Sequence, residues 1–366
     1  YGYFFLFSYY CRFILQCALI VDYKRQRGFF ESRENKIRLE FNEYVPHIDN
    51  KIFQIIMNKI SAETFSVYPE MENTYRALSS YLARPVENLL LTSGADQAIF
   101  QIFNTFCETN DKIGLVEPNF SMYHHYATII GCEVVGCYYD AIKWSIEEEC
   151  IYDLIKKNCK IIVITTPNSY TGTTINKETL NNIIKKCFHA GILVLIDEVY
   201  FDFSSEDCSS FVDYYDNVIC LRSFSKSVGL AGLRVGYILS NPKIIEHIYR
   251  ASFGVEINGV AAKAIEVLCN NSELYSSLVS EILDSKKYLY QELFSLGFQP
   301  QKTETNFIPI KPKDKQKLIS YLKTHNVRVR KYPNISHFDD YISFTVGTKE
   351  TSESIISLLK NFGDVN

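Results

Sequence analysis

Between residues 89 and 239, short apolar runs alternate with stretches in which apolar residues recur every three or four positions. The runs at 112–116, 132–139, 160–165, 193–197, 218–222 and 235–239 are rich in Val, Ile and Leu, as strands buried on both faces should be. Helical patterns at 95–107, 121–130 and 177–190 lie between them. The alternation predicts βαβ units and a mainly parallel sheet. Such sheets carry ligands outside the carboxyl ends of their strands, so reactive residues are expected just after each run. Past Asn241-Pro242 the character changes. Helical runs at 244–268 and 274–296 lead to a strand at 307–310, a helix at 315–325 and strands at 327–330 and 341–346. That succession reads as a smaller α+β domain.

Composition narrows the picture. At 366 residues the chain is long enough for two domains or one large one. With 47% hydrophobic and 22% charged residues, global disorder is excluded. Lys and Arg number 38 against 42 Asp and Glu, a net charge of −4, which is a poor basis for binding nucleic acid. The 11 cysteines include no C-x-x-C pair, so neither a metal site nor a redox motif is expected. Free thiols fit a reducing compartment, and a cytoplasmic location is the expectation.

The first thirty residues are crowded with aromatics. Residues 2–21 are nearly apolar and long enough to span a bilayer. Arg12 at the middle and Gln16 oppose insertion, and no basic stretch precedes them as in a signal peptide. The expectation is an arm, residues 1–36, packed on another subunit or on the chain's own core rather than in a membrane.

Three segments carry chemistry. The string SFSKSVGLAGLR, from Ser223 to Arg234, directly follows an apolar run. A lysine there, Lys226, can form a Schiff base with an aldehyde. Ser223, Ser225 and Arg234 can hold a phosphate, the arginine through two parallel hydrogen bonds. In the second segment, Asp197 ends another run and could hold a proton on a pyridine nitrogen. Tyr200 could donate to a phenolate oxygen. The third is a glycine turn, Gly94-Ala95-Asp96, which opens a helix whose free N–H groups form an anion site.

Together these residues resemble the fold-type-I pyridoxal-phosphate aminotransferases of class I/II, and within them the histidinol-phosphate aminotransferase group. The resemblance spans roughly residue 37 to the C-terminus. It implies a large α/β domain (48–242) with a mainly parallel, seven-stranded sheet between helices, and a small domain made of 37–47 and 243–366. It also implies pyridoxal 5'-phosphate as cofactor and a homodimer acting on small amine and keto substrates. By that similarity Lys226 binds the cofactor aldehyde and shuttles a proton, Asp197 pairs with the ring nitrogen and Tyr200 bonds the ring hydroxyl. Gly94, Ala95, Asp96, Ser223, Ser225 and Arg234 surround the phosphate, and Phe120 stacks on the ring. Tyr68 matches a tyrosine that reaches the cofactor phosphate of the other subunit.

Two departures stand out. The group's loop N-P-N-N-P-T-G reads TPNSYTG here, from Thr166 to Gly172. The ring-oxygen asparagine becomes Ser169, with Asn168 a possible substitute, and the usual proline becomes Tyr170. That proline often follows a cis bond, which before a non-proline residue costs about 2.5–4 kcal/mol. The turn is therefore either trans and reshaped or stabilised by its neighbours. The group's L-R-I-x-V-G-T becomes YISFTVGT, with Ser343 at the arginine position, while a second anion-binding arginine is kept as Arg330. Losing one charge-assisted pair weakens carboxylate binding, so phosphorylated amino alcohols or keto-phosphates held by Arg330 are expected substrates. Arg38 or a partner's arginine could compensate. A decarboxylase with the same cofactor is the alternative reading, and a non-catalytic binding relative a more distant one. His124-His125 has no third ligand at metal spacing, and no metal is expected.

Overall fold

The computed structural model describes residues 32, 34–140, 142–252, 254, 257–332 and 338–363. The aromatic-rich arm at 1–30 lies outside them. Eleven strands are present among the described residues. In chain order they are β1 (Ile37–Leu39), β2 (Leu89–Thr92), β3 (Lys112–Glu117), β4 (Glu133–Tyr138), β5 (Ile161–Thr165), β6 (Leu193–Asp197), β7 (Val218–Ser223), β8 (Gly236–Ser240), β9 (Phe307–Ile310), β10 (Val327–Lys331) and β11 (Ile342–Thr345).

Seven of them form one sheet in the order β2-β8-β7-β6-β5-β3-β4. Every neighbouring pair is parallel except those made by β8, which runs antiparallel to β2 and β7. Alternate residues of a strand face opposite sides, and β5 shows the result. Ile161 and Val163 join the apolar cluster on one face, with Ile102 and Phe103 of the helix Gly94–Phe106. Ile162 and Ile164 join the cluster on the other, with Leu180 and Ile183 of the helix Lys177–His189. Two buried faces explain why these runs are continuously apolar rather than alternating.

The second sheet has the order β1-β10-β11-β9. Strand β1 lies parallel to β10, pairing Ile37 with Val327, which joins the residues around 37 to the C-terminal part of the chain. The helical run expected at 244–268 is two helices, Pro242–Arg250 and Gly259–Cys269. Asn258 ends the break by accepting a hydrogen bond from the Ala261 N–H at 2.9 Å, as an N-cap asparagine does. Both helices pack on elements of the seven-stranded sheet's domain, the first on Gly94–Phe106 and the second on Glu72–Leu82. The helix Ser272–Ser295 packs on the helix Lys349–Phe362. Among the described residues no helix is long and apolar enough to cross a membrane.

Ile164 is fully buried and Ile142 almost fully exposed. Ile164→Ala is expected to lower unfolding free energy by about 2–5 kcal/mol. Ile142→Ala should change it by less than about 0.5 kcal/mol. Urea denaturation of the two variants checks the assignment of the core.

Candidate active site

A cavity of about 460 Å³ opens at the carboxyl ends of β6 and β7, between the two sheets. Of the residues singled out from the sequence, Ala95, Asp96, Phe120, Ser169, Asp197, Tyr200, Ser223, Ser225, Lys226, Arg234 and Arg330 line it. They come from segments up to 235 residues apart in the chain, and the strand ends bring them together as the parallel sheet requires.

Asp197, the last residue of β6, is buried. One oxygen accepts from the Tyr123 hydroxyl at 2.7 Å and the other from the Val199 N–H at 3.1 Å. Burial pushes its pKa up to about 6, against the opposing pull of these two donors. Among the described residues it has no ion-pair partner. Its neighbour Glu198 points the other way and is matched there by Arg222, 2.9 Å distant.

Lys226 Nζ donates to the Phe41 carbonyl at 3.0 Å and stands 5.9 Å from the centre of the Tyr200 ring. Asn42 Nδ2 donates to the Tyr200 hydroxyl at 2.8 Å. That oxygen therefore acts as acceptor toward Asn42, leaving its own proton for the cavity. Behind the lysine, Ser227 Oγ and the Tyr275 hydroxyl both bond Asp202, the latter at 2.7 Å. This buried cluster fixes the backbone that carries Lys226.

At the other end, the helix Gly94–Phe106 presents its N-terminus to the cavity. Ser223 Oγ accepts from the Ser225 N–H at 3.1 Å, which draws the two serines into one turn. Gly94 has φ +77°, and a Cβ there would stand 2.7 Å from Arg234 Nη2. Glycine thus lets the arginine lie across the helix start. Arg234 is itself paired with Asp96 at 2.6 Å. The Asp96 side chain orients Arg234, and the residue's N–H stays at the helix start where the anion site is expected.

Asn168 is fully buried and sits away from the cavity. Its Oδ1 accepts from the N–H groups of Tyr170 and Thr171 at 2.9 and 3.0 Å, and its Nδ2 donates to the Pro118 carbonyl. Asparagine commonly closes a turn this way, and here it cannot replace the missing amide. Ser169 stays at the cavity, with its buried Oγ lacking a hydrogen-bond partner among the described residues. The Ser169–Tyr170 bond is trans; the cis bonds precede Pro46, Pro118 and Pro167. Ser343 and Arg38 do not line the cavity, Ser343 being buried opposite Arg330 in the β10–β11 register. Tyr68 is 86% exposed and lies outside this cavity.

Sequence reasoning missed Phe41, Asn42, Tyr123 and Lys331. Phe41 and Asn42 sit in an irregular stretch with no motif to mark them. Tyr123, in FSMY, had only its spacing from Phe120. Among the described residues no group of three or more His, Cys, Asp or Glu could hold a metal ion.

The family described as aminotransferase class I and II matches residues 34–359. A histidinol-phosphate aminotransferase of Carboxydothermus hydrogenoformans is 30% identical over 90% of this chain and 93% of its own. One from Clostridium kluyveri is 29% identical over 88% and 92%. Among solved structures, the histidinol-phosphate aminotransferase of Clostridium acetobutylicum superposes with a TM-score of 0.80 at 22% identity, covering 89% of this chain and 98% of its own. That of Sinorhizobium meliloti, solved in complex with pyridoxal-5'-phosphate, gives 0.82 at 18% identity over 92% and 95%. These two structures share the fold.

Asp197 is buried and Asp202 half-buried, and loss of solvation pushes both pKa values up to about 6. Each holds its proton longer in the folded chain than in the unfolded one. Stability of the cofactor-free protein is therefore expected to be greatest, in respect of these groups, below pH ~4, and to fall as pH rises to about 6. The loss per group is about 1.4 kcal/mol per pH unit of displacement. Urea midpoints across pH 4–7 check this, and Asp197→Asn should remove that residue's share of the slope.

Proposed function

The chain belongs to the class I and II aminotransferase family, and on that footing we propose that it is a pyridoxal-phosphate-dependent transaminase acting on a phosphorylated amine and its keto counterpart. In this it is like the histidinol-phosphate aminotransferases among its relatives. The observation that carries the reading is one cavity bounded by Lys226, an unmatched buried carboxylate at Asp197, and Arg234 over a helix N-terminus.

The residues fit the cofactor. The N–H groups of Ala95 and Asp96, with Ser223, Ser225 and Arg234, would hold its phosphate. Phe120 would cover a ring face. Tyr200 and the unpartnered Ser169 Oγ would bond its ring oxygen. Asp197 would face the ring nitrogen, and a protonated nitrogen there would supply the positive partner that the buried carboxylate lacks. Pyridoxal 5'-phosphate supplies an aldehyde that condenses with amines and a ring that withdraws electrons from the substrate. Lys226 Nζ would bind the cofactor aldehyde, and its amine, once displaced by a substrate amine, would be the base that takes the proton from the substrate Cα and later returns it. Tyr200, held by Asn42, keeps its proton on the side of the ring oxygen. Arg330 offers its charge to the distal phosphate of the substrate.

The active unit in this reading is a homodimer. Tyr68, exposed and remote from its own cavity, would complete the partner's phosphate site.

Lys226→Ala is expected to lose both borohydride fixation of the cofactor and the amine half-reaction, and retained turnover would remove Lys226 from its role. In the same half-reaction assay, phosphorylated amines should exceed glutamate in kcat/KM; equal reactivity would overturn the reading of Ser343. A mixture of Lys226→Ala and Tyr68→Ala chains should regain activity that neither has alone, because mixed dimers contain one intact site. No recovery on mixing would refute the shared site.

A further inference from the structure

Arg330 does not reach the cavity as a free side chain. Its guanidinium carbon lies 4.2 Å from the centre of the Tyr170 ring, and its Nη1 donates to the Ser169 carbonyl at 2.8 Å. Both contacts come from the loop after β5, while Arg330 stands on β10 of the other sheet. Tyr170 is held in turn. Its N–H donates to Asn168 Oδ1 at 2.9 Å and its carbonyl accepts from the Tyr332 hydroxyl. The Tyr170 and Tyr332 rings meet edge to face, 5.4 Å apart.

A guanidinium is planar, and its donors radiate within that plane. An aromatic face against it fixes the plane without using a donor, and the Ser169 carbonyl uses one. The remaining N–H groups are thereby held in one orientation at the cavity edge. The other arginine lining the cavity, Arg234, is paired with Asp96, and Ser343 stays buried behind β10.

We propose that Tyr170 is a specificity-determining residue: by stacking on Arg330 it pre-orients that side chain to accept the terminal phosphate of an amine substrate, and so sets the preference for phosphorylated over neutral amines. The inference rests on the transaminase reading above and deepens it. Tyr170 acts through Arg330 and is a positioning residue, not a catalytic one.

The test uses full-length, cofactor-loaded enzyme and two amines that differ only in the phosphate, O-phosphoethanolamine and ethanolamine. Half-reaction kinetics are measured for wild type, Tyr170→Phe and Tyr170→Leu. Affinity for O-phosphoethanolamine is measured separately by calorimetry on borohydride-reduced enzyme, which binds without turning over. Phenylalanine keeps the ring and leucine keeps apolar bulk without it. Tyr170→Leu is expected to raise KM and Kd for O-phosphoethanolamine about tenfold, with kcat within about threefold and ethanolamine unaffected. Tyr170→Phe should stay within about threefold of wild type. The proposal fails if leucine leaves the preference for phosphate unchanged, or if phenylalanine is as damaging as leucine. It also fails if Tyr170→Leu no longer takes up cofactor, since Tyr170 would then serve the cofactor rather than selectivity. Wild-type uptake of cofactor and its fixation on Lys226 test the transaminase reading itself, independently of all three outcomes.

Discussion

A buried carboxylate with no ion-pair partner among the described residues is the constraint around which this site is arranged. Asp197 and Glu198 are consecutive and both buried, and at the end of a strand consecutive side chains leave by opposite faces. Glu198 meets Arg222, which also reaches Asp207 at 2.6 Å, so its charge is balanced inside the protein. Asp197 receives only neutral donors, the Tyr123 hydroxyl and one N–H. Removing a charge from water without a partner is costly, and within this pair of acids the cost falls on the one that faces the cavity. A site that keeps an acid unmatched is prepared for a positive group from outside. The rest of the pocket agrees: the lysine, the phosphate-sized turn and the aromatic wall all face the same space.

The parallel sheet explains how so few residues suffice. The strand ends of β6 and β7 put Asp197 and the Ser223–Lys226 turn side by side because the register pairs Asp197 with Leu221. The tight approach of β8 to the same corner depends on Gly236, where a Cβ would stand 2.9 Å from both the Arg222 carbonyl oxygen and the Gly94 carbonyl carbon. The serine turn, the lysine and the buried acid are therefore set by backbone pairing, and loops need only close the remaining sides of the cavity.

This is also why so much was legible in the sequence. Strands buried on both faces advertise themselves as short Val/Ile/Leu runs, and chemistry placed at their ends can be read by position. What escaped was non-local. Asn42 reaches Tyr200 across 158 positions, and no local pattern marks it. Asn168 was misread because an asparagine can serve its own turn as readily as a ligand. Asp96 sits beside a helix N-terminus where anions bind, yet its side chain is spent on Arg234. The helical run at 244–268 kept its apolar period across a break that only Gly254 and Asn258 signalled.

The loop from Thr166 to Gly172 shows where fold and selectivity meet. It follows β5, beside the central strand β6, yet three of its contacts reach the C-terminal part of the chain: Ser169 to Arg330, Tyr170 to Tyr332, and the Gly172 carbonyl, which accepts from the Glu304 N–H at 2.7 Å. Glu304 in turn gathers Ser204 and Ser205, at 2.7 and 2.8 Å. Of these polar contacts, that of Ser169 with Arg330 lies at the cavity. A residue change in this loop alters two things together, a wall of the cavity and the anchorage of Arg330. Replacing a proline by Tyr170 supplies a ring that can hold Arg330, and Ser343 withdraws a second arginine from the same strand pair. The two departures from the family pattern thus meet at one residue, Arg330, which Ser343 faces across the strand pair and Tyr170 covers with its ring.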